Sequence, residues 1–76
     1  MSEAEFIARL ARIGRISTEV TDASPIRPAE WDSVELLDLI AAVDEAYGVT
    51  VPTADMTSCT TVGELRALIH RASAGA

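Results

Sequence analysis

The feature that most constrains the fold is a helical segment with clear signals at both ends, running from Asp32 to Gly48. Asp32 is followed three residues later by Glu35, which is the spacing of a capping box at a helix N-terminus. Gly48 is typical of a helix C-terminus, and Pro52 keeps the helix from resuming. Between these signals, apolar residues recur at steps of three and four on the side expected to face the core: Leu36, Leu39, Ile40, Val43 and Tyr47. The pattern predicts a helix over residues 33–47.

The segment before this helix divides into a first helix and a long loop. Residues 3–13 form the predicted first helix, with Ser2 as N-cap, Gly14 as its natural end, and four apolar residues at helical spacing: Phe6, Ile7, Leu10 and Ile13. Residues 15–31 lose this periodicity among serines, threonines and prolines, so we expect a loop with at most one helical turn. Four apolar residues can pin the loop to the core: Ile16, Val20, Ile26 and Trp31.

Two further helices are predicted after Pro52. A short third helix covers about residues 53–58, and a fourth covers about residues 61–72 with Thr60 or Thr61 as its cap. The fourth helix turns five apolar residues inward: Val62, Leu65, Leu68, Ile69 and Ala72. Residues 73–76 are expected to fray. Residues 1–76 are therefore predicted to form one all-α domain of four helices, with a long first connection and a short third helix.

The composition excludes several kinds of site. Cys59 is the only cysteine and His70 the only histidine, so we expect neither an intrachain disulfide nor a metal site. The chain opens with no secretory signal pattern, and no apolar run approaches the roughly 20 residues that span a bilayer. These observations favour a soluble cytosolic monomer.

The charge is acidic and unevenly distributed. The chain has a net charge of −6, and its six basic residues, all arginines, lie outside residues 28–65. That stretch holds eight carboxylates, which predict an uninterrupted acidic surface. Such a surface repels nucleic acid and anionic lipid but attracts proteins with basic patches. The alternative is that these charges only keep a small protein soluble.

A second apolar stripe lies on the helix over residues 33–47. Val34, Leu37 and Ala41 recur at helical spacing on a face next to the predicted core stripe, and four carboxylates border them: Glu35, Asp38, Asp44 and Glu45. A small apolar patch with an acidic rim is typical of a docking surface. The alternative is a wide core face that the long loop partly covers.

Ser33 is the one candidate for a reactive residue, and it lies at the start of this helix. The sequence has no nucleophile elbow, no glycine-rich phosphate loop and no histidine near Ser33, so we expect no catalytic residues and no enzyme activity. Ser33 can be simply part of the helix cap. It can also be a hydroxyl that a partner modifies, because the helix N-terminus stabilises a phosphodiester. Asp32 would then assist the transfer by holding a metal ion.

Several motifs together resemble the acyl carrier proteins. They are Asp32-Ser33, the run Val34-Glu35-Leu36-Leu37-Asp38-Leu39-Ile40, the segment Asp44-Glu45-Ala46-Tyr47-Gly48-Val49 with Pro52, and Thr60-Thr61-Val62. The family pattern has Asp-Ser-Leu, an acidic second helix that ends in an aromatic residue and glycine, a proline, and a Thr-Thr-Val helix start. The resemblance is specific over residues 31–69 and loose over the first 30 residues.

The resemblance implies a four-helix carrier with 4′-phosphopantetheine attached to Ser33, whose thiol holds an acyl or aminoacyl group as a thioester. Asp32 would assist the phosphopantetheinyl transferase. Partner recognition would fall to Val34, Glu35, Leu37, Asp38, Ala41, Asp44 and Glu45. A cleft for the acyl chain would be lined by Val43, Cys59 and Leu65, although for Cys59 the role of a small buried core residue is the better interpretation. Expected partners are the transferase, an acyl- or aminoacyl-loading enzyme, and a ketosynthase or acyltransferase with a basic docking patch.

Departures from the family pattern bear on the pathway. Ala29-Glu30-Trp31 replaces the usual Leu-Gly before the Asp-Ser pair, valine follows the serine, and the Gly-Gly-x-Ser of peptidyl carriers is absent. Trp-Asp-Ser is similar to discrete carriers of specialised pathways, and a sequence without lysine suggests a high-GC bacterium. These features favour polyketide or hybrid natural-product biosynthesis. A D-alanyl carrier, a primary fatty-acid carrier and an interaction domain without the arm stay open as alternatives.

Overall fold

The computed structural model describes residues 1–74, and they form four α-helices: α1 (Glu3–Gly14), α2 (Ser33–Tyr47), α3 (Thr53–Thr57) and α4 (Val62–Ala74). A single 3₁₀ turn, Pro28–Glu30, interrupts the long loop between α1 and α2. The predicted all-α architecture, with its long first connection and short third helix, is confirmed. Within the described residues, no helix has both the length and the apolar character needed to cross a membrane.

Both ends of α4 differ slightly from the prediction. The helix begins at Val62, one residue later than expected, and continues through Ser73 and Ala74, where fraying was expected. The last two residues of the predicted frayed tail, 75–76, lie outside the described residues.

The end of α1 corrects the prediction that Gly14 stops the helix. Gly14 remains helical, and Arg15 takes the left-handed conformation at φ 56°. The Ile16 amide then donates to the Ala11 carbonyl at 2.8 Å, and the Arg15 amide donates to the Arg12 carbonyl at 3.3 Å. These are the two hydrogen bonds of a Schellman motif. They satisfy carbonyls at the helix end and help to offset the roughly 1–2 kcal/mol that the left-handed conformation costs a residue with a Cβ.

The core lies between α1, the inner face of α2, and α4. Leu39, Ala42 and Val43 are the buried residues of α2, while Leu36 and Ile40 are half-buried. The centre of the core stripe is thus shifted toward Ala42, which the sequence pattern left out. The prediction that Tyr47 faces the core is only partly right. Its ring packs edge-on against Phe6 at a centroid distance of 5.2 Å, yet the residue is 37 % exposed.

Backbone hydrogen bonds fasten the long loop to the start of α4. The Ile26 amide donates to the Thr60 carbonyl at 3.1 Å. The Val62 amide donates to the Ser24 carbonyl at 3.0 Å, and the Gly63 amide to the Asp22 carbonyl at 2.9 Å. A Cβ at position 63 would lie 3.0 Å from the Asp22 carbonyl oxygen, so this close approach favours glycine there. Ile26 is buried, and Ile16, Val20 and Trp31 pack against the core as predicted. This anchoring fixes the approach of the chain to the N-terminus of α2.

Candidate functional site

Ser33 is the first residue of α2, and the capping box predicted from the sequence holds it there. The Glu35 amide donates to the Asp32 carboxylate at 2.8 Å, and the Asp32 amide donates to the Glu35 carboxylate at 3.2 Å. The Leu36 amide donates to the Asp32 carbonyl at 3.1 Å. Within residues 1–74, the amides of Ser33 and Val34 have no acceptor. The helix therefore begins with two free N–H groups beside the serine hydroxyl.

The Ser33 hydroxyl is exposed and makes no hydrogen bond to the described residues. His70 lines a surface groove with Tyr47 and Arg66, and Tyr47 stands 14 residues after Ser33, about 21 Å along the helix axis. No described histidine can therefore act as a base for Ser33. The structure therefore presents an accessible hydroxyl at the start of α2.

The second apolar stripe of α2 lies open to solvent. Val34 is 72 % exposed and Leu37 is 64 % exposed. Ala41, one turn after Leu37, is also exposed. At about 100° per residue these three point away from Leu39 and Val43 on the buried side. The alternative that the stripe is a wide core face covered by the loop is thus ruled out. Its role in recognition stays a prediction.

The four carboxylates around this stripe are not equivalent. The Arg9 guanidinium of α1 donates through Nε to Asp38 Oδ1 at 2.9 Å and through Nη1 to Glu45 Oε2 at 2.9 Å. Its Nη2 atom also donates to Asp38. The hydrogen bond to Asp38 is the main cause of a raised pKa for Arg9.

The other two carboxylates differ from this pair and from each other. Glu35 belongs to the capping box, and its Oε2 lies 4.0 Å from Nη2 of Arg15. Asp44 is exposed and forms no ion pair within residues 1–74. The prediction of an uninterrupted acidic surface is therefore wrong, because arginines from and just after α1 lie along one edge of it. Sequence reasoning placed Arg9 on the first helix but had no signal for its partners.

The residues predicted to line an acyl cleft are all buried. Val43 and Leu65 have no exposed surface, and Cys59 is 7 % exposed. A surface groove between α3 and α4 is lined by Cys59 together with Pro52, Leu68 and Arg71, but not by Val43 or Leu65. The Cys59 thiol donates to the Asp55 carbonyl at 3.6 Å, and burial raises its pKa. These are the properties of a core cysteine, and the cleft stays a prediction.

Within residues 1–74, no group of three or more His, Cys, Asp or Glu side chains converges in a way that could hold a metal ion. Asp32 is the carboxylate adjacent to Ser33 in the chain, and beyond the capping bond from Glu35 it has no side-chain partner in the described part of the protein. An ion at this position would need further ligands from other molecules.

Comparison with known proteins places the site in context. The family model described as the phosphopantetheine attachment site matches residues 4–69. A relative from Rhodococcus erythropolis named acyl carrier protein is 28 % identical over 74 residues, covering 86 % of this chain and 81 % of that protein. No solved structure matches the chain.

Proposed function

The chain belongs to the acyl carrier protein family, whose cofactor is 4′-phosphopantetheine, and from this membership we propose that Ser33 is where this cofactor is attached as an arm. The protein then delivers the group that the arm holds to partner enzymes. The single observation that best supports this assignment is the exposed, unpartnered Ser33 hydroxyl at the start of α2. When attached, the arm supplies a terminal thiol that holds an acyl group as a thioester. The carrier contributes tethering, because a linked intermediate has a high effective concentration at each docked enzyme.

The residues around Ser33 fit a phosphodiester. The free amides of Ser33 and Val34 can donate to its oxygens, and the positive end of the helix dipole stabilises its charge. The capping box keeps these amides in helical geometry without using the Ser33 hydroxyl. Since no described histidine lies near Ser33, we expect the proton of its hydroxyl to pass to the transferase. The chain is thus a substrate of that enzyme and a non-catalytic carrier afterwards.

The intact mass of the purified protein tests this proposal. We expect incubation with coenzyme A, Mg²⁺ and a promiscuous phosphopantetheinyl transferase to add one phosphopantetheine group. Fragment masses should locate the group on the peptide that contains Ser33. Absence of any mass gain with several transferases, in a protein shown by circular dichroism to be helical, would contradict the proposal.

Asp32 has two separable roles, and two variants distinguish them. Asp32→Ala is expected to lower the free energy of unfolding by about 1 kcal/mol, because the Glu35 amide loses its acceptor. Asp32→Asn should keep the cap, since asparagine is an equally good N-cap residue. If the Asp32 carboxylate helps to hold the metal ion during transfer, both variants should slow the modification of Ser33 by about tenfold or more. Normal modification of Asp32→Asn would show that Asp32 serves only as a cap.

The pathway that we propose is bacterial polyketide or hybrid natural-product biosynthesis. Trp31 before the Asp-Ser pair and the absence of lysine favour it, and the name of the Rhodococcus relative favours an acyl cargo over an aminoacyl one. Loading assays on the modified protein test the pathway. Acylation by polyketide acyltransferases is the expected result, and loading only by a D-alanine-activating enzyme would overturn it.

A further inference from the structure

A surface groove lies between the end of α1, the long loop and the start of α2. Ile13, Pro25 and Trp31 line it together with the mostly exposed side chains of Arg15 and Arg27, and we call it the Trp31 groove. Its volume is about 320 Å³, which is at the lower end of the range for small-molecule sites in proteins. The Trp31 groove thus combines apolar surface with positive charge, and it is large enough for a slender ligand.

Trp31 is half-buried and lies over the last turn of α1. A Cβ on Gly14 would be 3.7 Å from Cζ2 of the indole ring. Among residues 1–74 the indole N–H has no acceptor. Because tryptophan N–H groups that leave bulk water usually find a hydrogen-bond partner, the groove offers a ligand both an apolar ring and an unused donor.

The two arginines of the Trp31 groove supply further unused donors. Nη2 of Arg15 lies 4.0 Å from Oε2 of Glu35, and Nη1 of Arg27 lies 3.6 Å from Oε2 of Glu30. Both separations are longer than a hydrogen bond. A ligand that carries amide carbonyls or a phosphodiester can therefore accept from these guanidinium groups without breaking an existing hydrogen bond to either carboxylate.

The Trp31 groove is within reach of a group attached to Ser33. Trp31 precedes Ser33 by two residues, so their Cα atoms are at most about 7 Å apart. Glu35, which follows Ser33 by two residues, also lines the groove. Val43 and Leu65, which were predicted to line an acyl cleft, have no exposed surface. The Trp31 groove, unlike those residues, presents open surface close to Ser33.

We propose that the Trp31 groove is a resting site for the phosphopantetheine arm on Ser33, held there by apolar contact with Trp31 and by the N–H donors of Arg15 and Arg27. The proposal rests on the carrier function proposed above and adds where the arm lies between deliveries. The arm suits the groove because its dimethyl group is apolar, while its amides and phosphodiester accept hydrogen bonds. A partner enzyme then has to draw the arm out of the groove before the thioester reacts.

Fluorescence of Trp31 tests the proposal directly, because Trp31 is the only tryptophan of the chain. The protein is incubated with coenzyme A, Mg²⁺ and a transferase, and intact mass verifies complete modification. We expect the emission maximum to move to shorter wavelength. Quenching of the fluorescence by acrylamide should fall by about twofold, because a ligand in such a groove covers the open part of the ring. Ser33→Ala, treated in the same way, should show neither change.

A double variant tests the arginine donors. Arg15→Asn combined with Arg27→Gln removes both guanidinium groups, and asparagine tolerates the left-handed conformation that residue 15 adopts. This protein should be modified completely yet lose the protection of Trp31 from acrylamide. Arg12→Gln combined with Arg71→Gln is the matched control, since both arginines are exposed and neither lines the Trp31 groove. The control should keep the protection.

Amide chemical shifts measured by NMR locate the arm independently. Modification should shift the amide signals of Gly14 and Ile26, which line the Trp31 groove and are distant from Ser33 in the chain. Shifts at Cys59 and Leu68 instead would place the arm between α3 and α4 and overturn the proposal. Unchanged fluorescence after complete modification, or equal protection in the two double variants, would overturn it as well. If the intact mass does not rise at all, the carrier function itself fails, and the mass reports that failure separately.

Discussion

Replacing Ser33 with alanine is expected to abolish attachment of phosphopantetheine and leave the fold intact. The Ser33 hydroxyl has no hydrogen-bond partner in residues 1–74, and the cap of α2 is made by Asp32 and Glu35. Alanine is the best helix former, so position 33 should tolerate it without loss of stability. The measurement is intact mass after incubation with coenzyme A, Mg²⁺ and transferase, together with thermal unfolding followed by circular dichroism.

Ser17→Ala is the matched control for this experiment. Ser17 is also exposed, but it lies in the loop after α1, away from a helix N-terminus. The control should gain one phosphopantetheine group as the parent does. Modification of Ser33→Ala to the same extent as Ser17→Ala would show that the arm is attached elsewhere. Loss of modification with a large drop in melting temperature would show that Ser33 is needed for the fold, against the structure.

Replacing Phe6 with alanine is expected to have the largest effect on stability. Phe6 is fully buried, and its ring meets Tyr47 edge-on at 5.2 Å, so it joins α1 to the end of α2. Truncation of a buried phenylalanine to alanine typically lowers the free energy of unfolding by about 3–5 kcal/mol, because apolar burial is lost and a cavity is left behind. Natural domains are stable by only about 5–15 kcal/mol, and small domains lie at the low end of that range. Urea unfolding followed by circular dichroism should show much of the protein's stability lost.

Phe6→Leu provides the comparison, since leucine keeps most of the volume and loses the aromatic contact. Phe6→Leu should lower the free energy of unfolding by about 1–2 kcal/mol, well below the loss expected for Phe6→Ala. A cost below about 1 kcal/mol for Phe6→Ala would mean that α1 is not packed as described.

The caps of α2 show what sequence reasoning can reach. Asp32 and Glu35 form the predicted capping box, and Gly48 ends the helix in the left-handed conformation at φ 70°. Each signal involves residues at most four apart, so the chemistry that decides it is contained in a short segment. The exposed position of Ser33 follows from these caps. The assignment of the arm to Ser33 came from motif resemblance and stays a prediction.

The end of α1 shows where local reasoning fails. Gly14 has the intrinsic preference for a helix end, yet Arg15 adopts the left-handed conformation. Ile16 packs against the core, and its amide bonds to Ala11 once Arg15 has turned the chain. Burial of Ile16 outweighs the conformational preference of glycine, and that burial depends on helices distant in sequence.

The sequence by itself determined the four-helix architecture, the caps of α2 and the apolar stripe of Val34, Leu37 and Ala41, because periodicity and capping act between neighbouring residues. Only the tertiary structure decided that Arg9 pairs with Asp38 and Glu45, residues 29 and 36 positions away, while Asp44 stays unpaired among the described residues. The physical reason is that an ion pair between helices depends on their relative rotation and register. Packing of Phe6, Leu39 and Ala42 sets both, and packing between distant segments leaves no local pattern in the sequence.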